Sequence, residues 1–264
     1  MPAPTDWLAR LAATLGPVQV VRSLGGGATL VEADGRRLVA KTGPGAPDEA
    51  EGLRRLRGVM GGPPVPEVVF ADGDLLATTA VEQAPRTPAH DQDLGRALAR
   101  LHRTPFPHWG GGSSFIGACR VDPAARADGP AFYGARFVEL ARRCGLEDAV
   151  APVVRRLPEL LPPGGPALLH GDLWWGNVLF GRDGRSWVID PSVHGGHPEE
   201  DLAMLDLFGP TPPGLLRSYA EVLGFQEDWR LRRPLFSLYP LLVHTVLFGG
   251  SYRQQAIEAA RFYR

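Results

Sequence analysis

The sequence predicts an α+β protein of two lobes, a small antiparallel sheet with one helix followed by a larger, mainly helical part. Three observations carry this. Before residue 82, short β-branched or alternating runs are separated by glycine turns. Beyond residue 91, apolar residues recur at helical spacing. The densest polar motifs fall on the few extended stretches of the helical part, which places a cleft between the lobes.

The elements follow in order. Val18 to Leu24 is a β-branched run that stops at Gly25-Gly26-Gly27, and Thr29 to Ala33 returns as Arg37 to Lys41 through an Asp34-Gly35 hairpin turn. Asp48 to Arg57 reads as a helix with acids first and arginines last, and it sets Leu53, Leu56 and Met60 on one face. Gly61-Gly62-Pro63-Pro64 ends it. Val65 to Ala71 and Leu75 to Val81 are strands joined at Asp72-Gly73, and Pro85 to Asp91 is a connector. The lobes therefore divide as 1–83 and 84–264. In the second, helical spacing covers Leu94 to Leu101, Ala131 to Cys144, Ala149 to Leu157, Asp201 to Phe208, Leu215 to Leu223, and Trp229 to Phe262 in at least two pieces. Ala167 to Leu169 and Val178 to Phe180 are extended, the latter pairing with Ser186 to Ile189 through Asp183-Gly184.

Composition narrows the function classes. The chain has 264 residues, 44% hydrophobic and 22% charged, with a net charge of −1, so it has no general attraction to nucleic acid or anionic membrane. Cys119 and Cys144 are too few for a disulfide framework. Met1 to Trp7 shows no secretory signal, and the longest apolar run, Leu241 to Gly250, is short and holds His244. A cytoplasmic monomer acting on a small molecule is expected. The clusters Arg54-Arg55-Arg57 and Arg232-Arg233 are expected on solvated helix faces.

Of the 28 Lys and Arg residues, only Lys41 is a lysine. A compact ammonium kept amid guanidinium groups suits a site that reaches between phosphates. Asp172 and Asn177 are five residues apart and Asp190 follows 13 residues later, the Asp-to-Asn interval of protein-kinase catalytic loops and a metal-binding Asp after a short hairpin. Phosphoryl transfer needs a carboxylate to orient a hydroxyl and take its proton, and hard oxygen ligands for Mg²⁺. Asp172 suits the first role, and Asn177 and Asp190 the second. His170 is expected to lock the loop. Gly25, Gly26 and Gly27 would let backbone amides approach phosphate, and Lys41 would be held by Glu49, with Glu51 as second choice and Asp48 as a helix cap. Thr79 to Gln83, ending in Glu82 and Gln83, would supply the hinge that pairs with adenine. Neither a Gly-x-x-x-x-Gly-Lys-Ser/Thr loop nor a dinucleotide-binding βαβ unit is present.

His170-Gly171-Asp172-Leu173-Trp174 with Gly176-Asn177, then Ile189-Asp190-Pro191, Gly196-His197 and Glu200-Asp201-Leu202-Ala203-Met204, resemble the fructosamine kinase (ketosamine-3-kinase) family. So do Phe115-Ile116-Gly117 and Leu247-Phe248-Gly249-Gly250. The family is a branch of the protein kinase-like fold that also holds aminoglycoside and choline phosphotransferases. The resemblance implies ATP- and Mg²⁺-dependent phosphorylation of a ketosamine hydroxyl, typically the 3-hydroxyl, giving an unstable product and hence deglycation. It also implies that Trp174, Trp175 and His197 border the substrate. The Trp175 position is commonly a small residue in that family, so the pocket would be narrower or differently shaped. Ala28 stands where some relatives carry a cysteine, which argues against a redox switch through that loop. Two alternatives remain: a phosphotransferase for an aminoglycoside or another small hydroxyl compound, which free carboxylates at Glu199-Glu200-Asp201 would favour, and a non-catalytic ATP-binding pseudokinase.

Overall fold

The computed structural model describes residues 6–224 and 229–263, so the first five residues of the Met1 to Trp7 stretch lie outside it. Five strands, β1 (Val18–Gly25), β2 (Ala28–Ala33), β3 (Arg36–Thr42), β4 (Val68–Asp72) and β5 (Leu75–Thr79), form one antiparallel sheet in the order β1-β2-β3-β5-β4. The β2–β3 hairpin turns at Asp34 and Gly35, both at positive φ of 48° and 69°, as a two-residue turn that follows the strand twist requires.

Period-two alternation gives this sheet two working faces. Leu38, Ala40, Leu75 and Ala77 pack against Leu11, Trp7 and Leu15 of α1 (Asp6–Leu15), an amphipathic helix that the sequence reading passed over. Leu76 belongs to a second core with Ala46, Ala50, Leu53 and Leu56 of α2 (Ala46–Arg57). Lys41 pairs with Leu76 in the β3–β5 ladder, out of step with Leu38 and Ala40, so its side chain leaves on the face away from α1.

The start of α2, the place of Met60 and the start of the third helix differ from expectation. Pro47 is tolerated in the first turn of α2, which starts two residues early. The helix stops at Gly58, before Gly61, so Met60 lies beyond it and is 94% exposed instead of on the buried face. Within the expected connector, Thr87 caps α3 (Pro88–His102), accepting from the His90 backbone while the His90 ring accepts from the Thr87 backbone.

The second lobe contains α4 (Gly129–Cys144), α5 (Glu147–Leu160), α6 (Glu199–Leu207), α7 (Pro213–Leu223), α8 (Trp229–Phe248) and α9 (Ser251–Arg261). Three short antiparallel pairs punctuate them: β6 (Phe115–Ile116) with β7 (Cys119–Arg120), β8 (Ala167–Leu169) with β11 (His194–Gly196), and β9 (Val178–Phe180) with β10 (Ser186–Val188). β11 had no local sequence signal, because two of its three residues are glycine. Phe132, Tyr133 and Phe137 of α4 meet Phe236 and Tyr239 of α8 in the largest aromatic core. Helices α3 and α7 touch backbone to backbone at Gly95, where an added Cβ would collide with the Leu215 carbonyl.

Gly95→Ala should therefore lower the unfolding free energy by about 3 kcal/mol, since neither backbone can retreat. Gly134→Ala in α4, whose new Cβ would meet Leu157 at an ordinary 3.5 Å, should stabilise by roughly 0.5–1 kcal/mol. Urea denaturation of the two variants compares them directly.

Candidate active site

β3 delivers Lys41 to the cleft and the first turn of α2 delivers Glu49. Lys41 Nζ donates to Glu49 Oε1 at 2.8 Å and also contacts Asp190 Oδ1, a residue 149 positions further along the chain. Burial works to lower the lysine pKa, but the charges of Glu49 and Asp190 outweigh it and hold it above its usual value. Burial also lifts the Glu49 carboxyl, partly offset by Lys41. Glu51, the second choice of partner, instead faces solvent and pairs with Arg55 at 2.9 Å. Asp48 is not a cap. The N-cap of α2 is Gly45, without a side-chain hydrogen bond, and Asp48 Oδ2 accepts from the Ser114 backbone at 2.7 Å, tying α2 to the other lobe. In the same segment Ser192 Oγ donates to the Phe115 carbonyl at 2.8 Å.

The stretch between β8 and β9 holds the next group. His170 Nε2 donates to the Ile189 carbonyl at 3.0 Å and its Nδ1 accepts from the Asp172 backbone at 3.3 Å, so the buried ring locks the loop. Asn177 Nδ2 donates to Asp172 O at 2.8 Å and to Asp172 Oδ2 at 3.2 Å. Desolvation, then the charge of Asp190, push the Asp172 carboxyl up to about 7. Asp190 sits at φ 56°, a left-handed conformation costly for a residue with a Cβ. Its neighbours clamp it: Ile189 N donates to Asn177 O at 3.0 Å and Ser192 N to His170 O at 2.9 Å.

Gly26 and Gly27 form the exposed β1–β2 turn just past Gly25, the last residue of β1, and the three glycines sit at φ 85°, 56° and 80° in chain order. Gln83 forms an antiparallel bridge with Gly181, flanked by Arg182 N to Glu82 O at 2.9 Å and Ala84 N to Phe180 O at 2.8 Å. The Glu82 carbonyl is thus engaged with the β9–β10 hairpin, while the backbone groups of Gln83 point the other way.

Asp172 looks into a cleft lined by Ile116, Met204, Tyr239, Val243 and His244. Trp174 is 39% exposed, with its ring centroid 5.6 Å from that of Phe208. Of the three residues expected to border the substrate, Trp174, Trp175 and His197, none lines this cleft. The Trp175 ring lies under the Arg86 guanidinium at 4.0 Å, which clips the catalytic loop to the connector, and Arg86 in turn bonds Asp91 at 2.7 Å. The His197 ring stacks on Phe236 at 4.9 Å and 11°, and burial followed by the charge of Arg232 brings it down to about 4, leaving it neutral at pH 7.

The largest surprise is α6, whose opening acids are bound inward instead of standing free. Asp201 accepts from the backbones of His170 at 2.8 Å and Gly171 at 2.9 Å and from His102 Nε2 at 3.1 Å, while His102 Nδ1 bonds Tyr219 Oη at 2.8 Å. Burial would raise its pKa, but the imidazole of His102 and these amides hold it below the usual range. Glu200 is bound by Tyr133 Oη at 2.8 Å and His194 Nε2 at 3.0 Å, with Arg136 at 3.7 Å. Glu199 pairs with Arg232 at 2.9 Å, so Arg232 is no solvated charge, whereas Arg233 pairs with Asp206. A run of acids on a helix that is buried nearly all round was the available signal.

Among the described residues no cluster of three or more His, Cys, Asp or Glu side chains has metal-binding geometry. The oxygen set nevertheless fits Mg²⁺. With its amide nitrogen given to Asp172, Asn177 keeps its carbonyl oxygen, and Lys41 contacts only one oxygen of Asp190, which leaves two hard oxygen donors for such a cation.

The family model described as fructosamine kinase matches residues 48–261. This chain belongs to the fructosamine kinase family. A candidate ketoamine kinase of Thermus thermophilus is 34% identical over 229 residues, 82% of this chain and 83% of that protein. The protein-ribulosamine 3-kinase of Oryza sativa is 34% identical over 62% of this chain and 52% of its own length. The match to a candidate ketoamine kinase of Enterococcus faecium, 44% identical, spans only 34% of this chain and 32% of that protein. The crystal structure of a candidate fructosamine-3-kinase from Thermobifida fusca superposes with a TM-score of 0.86 at 35% identity, covering 99% of both chains. An ADP-bound aminoglycoside phosphotransferase shares the fold, with a TM-score of 0.63 at 12% identity over 98% of each chain. The fold is thus that of the kinase-like phosphotransferases.

Asp201→Asn trades a charged acceptor for an amide that must turn one donor toward the loop. It should lower unfolding free energy by about 2–3 kcal/mol and turnover by more than ~10-fold, with the ATP KM within ~3-fold of wild type. Denaturation and steady-state kinetics read the two effects separately.

Proposed function

We propose that this fructosamine kinase family member transfers the γ-phosphoryl group of ATP to a sugar hydroxyl of a ketosamine, the 3-hydroxyl by resemblance, as a deglycating step. A nucleotide-binding lobe over 1–83 and an acceptor-binding lobe over 84–264 would close on the substrates. The observation that carries this reading is the meeting of Lys41, Glu49 and Asp190 beside the Asp172–Asn177 pair.

Asp172 orients the hydroxyl and takes its proton as the oxygen bonds to the γ-phosphorus. The bond from that phosphorus to the β–γ bridging oxygen breaks and leaves ADP. Lys41 supplies the point charge for the α- and β-phosphates, with Glu49 fixing its direction, and the backbone of Gly25 to Gly27 and of the hinge at Glu82 and Gln83 would border the nucleotide. Asn177 and Asp190 would hold Mg²⁺, which supplies charge neutralisation along the phosphates. Positive charge gathered at Asp190 would bring the Asp172 carboxyl down from about 7 and keep it in the ionised form that accepts a proton.

The alternatives divide on the acceptor side. A polycationic aminoglycoside needs free carboxylates, and all four acids of α6, Glu199, Glu200, Asp201 and Asp206, are held by internal partners. A sugar with one amine fits better. A pseudokinase would ordinarily lack one of Lys41, Asp172, Asn177 and Asp190. A cytoplasmic, monomeric enzyme without nucleic-acid partners is the setting proposed; among the described residues no helix is long and apolar enough to cross a membrane, and Cys119 and Cys144 are free thiols.

Coupled ADP-release assays over fructosamines, ribulosamines and aminoglycosides test this. Turnover is expected with ketosamines and Mg²⁺ and should vanish in EDTA; turnover confined to aminoglycosides would refute the reading. Asp172→Asn should lower kcat by about 10²-fold or more while the ATP dissociation constant stays within ~3-fold. Lys41→Arg, conserving charge but not shape, should lower kcat/KM by a comparable factor. Near-normal turnover of Asp172→Asn would remove the assigned base.

A further inference from the structure

Five aromatic rings from four separate chain segments form a continuous shelf that runs outward from Asp172. Trp174 follows the base by two residues, Phe208 closes the C-terminal end of α6, His244 and Phe248 lie one turn apart near the end of α8, and Tyr252 opens α9. Centroid separations are 5.6 Å for Trp174–Phe208, 5.1 Å for Phe208–His244, 4.9 Å for His244–Tyr252 and 5.6 Å for His244–Phe248. His244 itself lines the cleft into which Asp172 looks, so the shelf and the base share one space. Its outer members are open to solvent, Phe248 at 67% and Trp174 at 39%. Two large exposed rings, joined through Phe208 and His244 to the cleft that holds Asp172, point to a ligand face.

We infer that this shelf is the subsite for the amine-borne substituent of the ketosamine, and that it selects conjugates whose amine carries an apolar or aromatic group. This rests on the ketosamine reading above. A ketosamine bears its amine on the carbon beside the carbonyl, within a few bonds of the sugar hydroxyls. With a hydroxyl at Asp172, the substituent therefore leaves the cleft close to the site of transfer. The charge pattern agrees. The α6 carboxylates beneath the shelf are consumed by Arg232, His194, His102 and Arg233, leaving ring faces to meet the protonated secondary amine by cation–π attraction. The nearby Arg253 is turned away onto the carbonyls of Cys144 and Gly145, and burial holds the His244 ring below its usual pKa, so neither repels that cation. A carboxylate close to the amine, as in a glycine conjugate, would lie against ring faces with no cation to pair with, the Trp174 indole N–H and the Tyr252 hydroxyl being neutral donors.

Calorimetric titration with fructosyl-benzylamine and fructosyl-glycine, in the presence of ADP, tests the subsite without requiring turnover. The benzylamine conjugate should bind about tenfold more tightly, Phe248→Ala should weaken it by ~3–10-fold while shifting the glycine conjugate by less than ~2-fold, and Phe248→Trp should keep the preference. Phe248 is exposed enough for the variants to fold, which melting curves check. Equal affinity for the two conjugates, or an equal loss for both on Phe248→Ala, overturns the assignment. A binding preference of this kind with no phosphate transferred to either sugar leaves the subsite standing and removes the kinase reading instead.

Discussion

The charge of Lys41 is the constraint around which the rest is arranged. A half-buried ammonium is tolerable only with carboxylates against it, and here one comes from the same lobe and one from the other. Because Asp190 lies so far along the chain, this contact forms only when β3, α2 and the turn after β10 are all in place. The left-handed backbone at Asp190 belongs to the same arrangement, since it turns the carboxylate toward the ammonium while the amides on either side are bonded into the loop. A guanidinium would fill the gap with a flat fork, which explains why a chain so rich in arginine keeps a lysine here.

A second layer of charge lies behind the first and has the opposite character. Asp201 and Glu200 are fully enclosed, and each collects enough donors to remain ionised. Removing a partner from such a group leaves an uncompensated buried charge, so these carboxylates act as anchors for the catalytic loop and for β11. Their commitment also sets the local electrostatics: the negative charge of α6 is spent on internal partners.

Much of this was legible in the chain. The Asp34-Gly35 and Asp183-Gly184 turns, the alternation of β3 and β5, and the helical spacing of the second lobe are local signals, and local signals survive without tertiary context. The joint appearance of Lys41, Asp172, Asn177 and Asp190 was equally readable, because phosphoryl chemistry admits few residue types. What stayed hidden depends on partners distant in sequence. Asp48 looks like a helix cap until Ser114 is seen beside it, Arg232 looks solvated until Glu199 is found beneath it, and Trp175 looks like a pocket wall until Arg86 covers it. α1 was missed although its spacing is amphipathic, since it stands alone before the first strand.

The segment from Ser114 to Ile116 has one foot on each side of the molecule. Its first amide is fastened to α2, its Phe115 carbonyl is fastened to Ser192 just past Asp190, and Ile116 forms a wall of the acceptor cleft. Any separation of the lobes must either break the Asp48 bond or drag that wall along. Movement of α2 and movement of that wall are thereby coupled, through the bond from the Ser114 amide to the Asp48 carboxylate and alongside the Lys41–Asp190 contact.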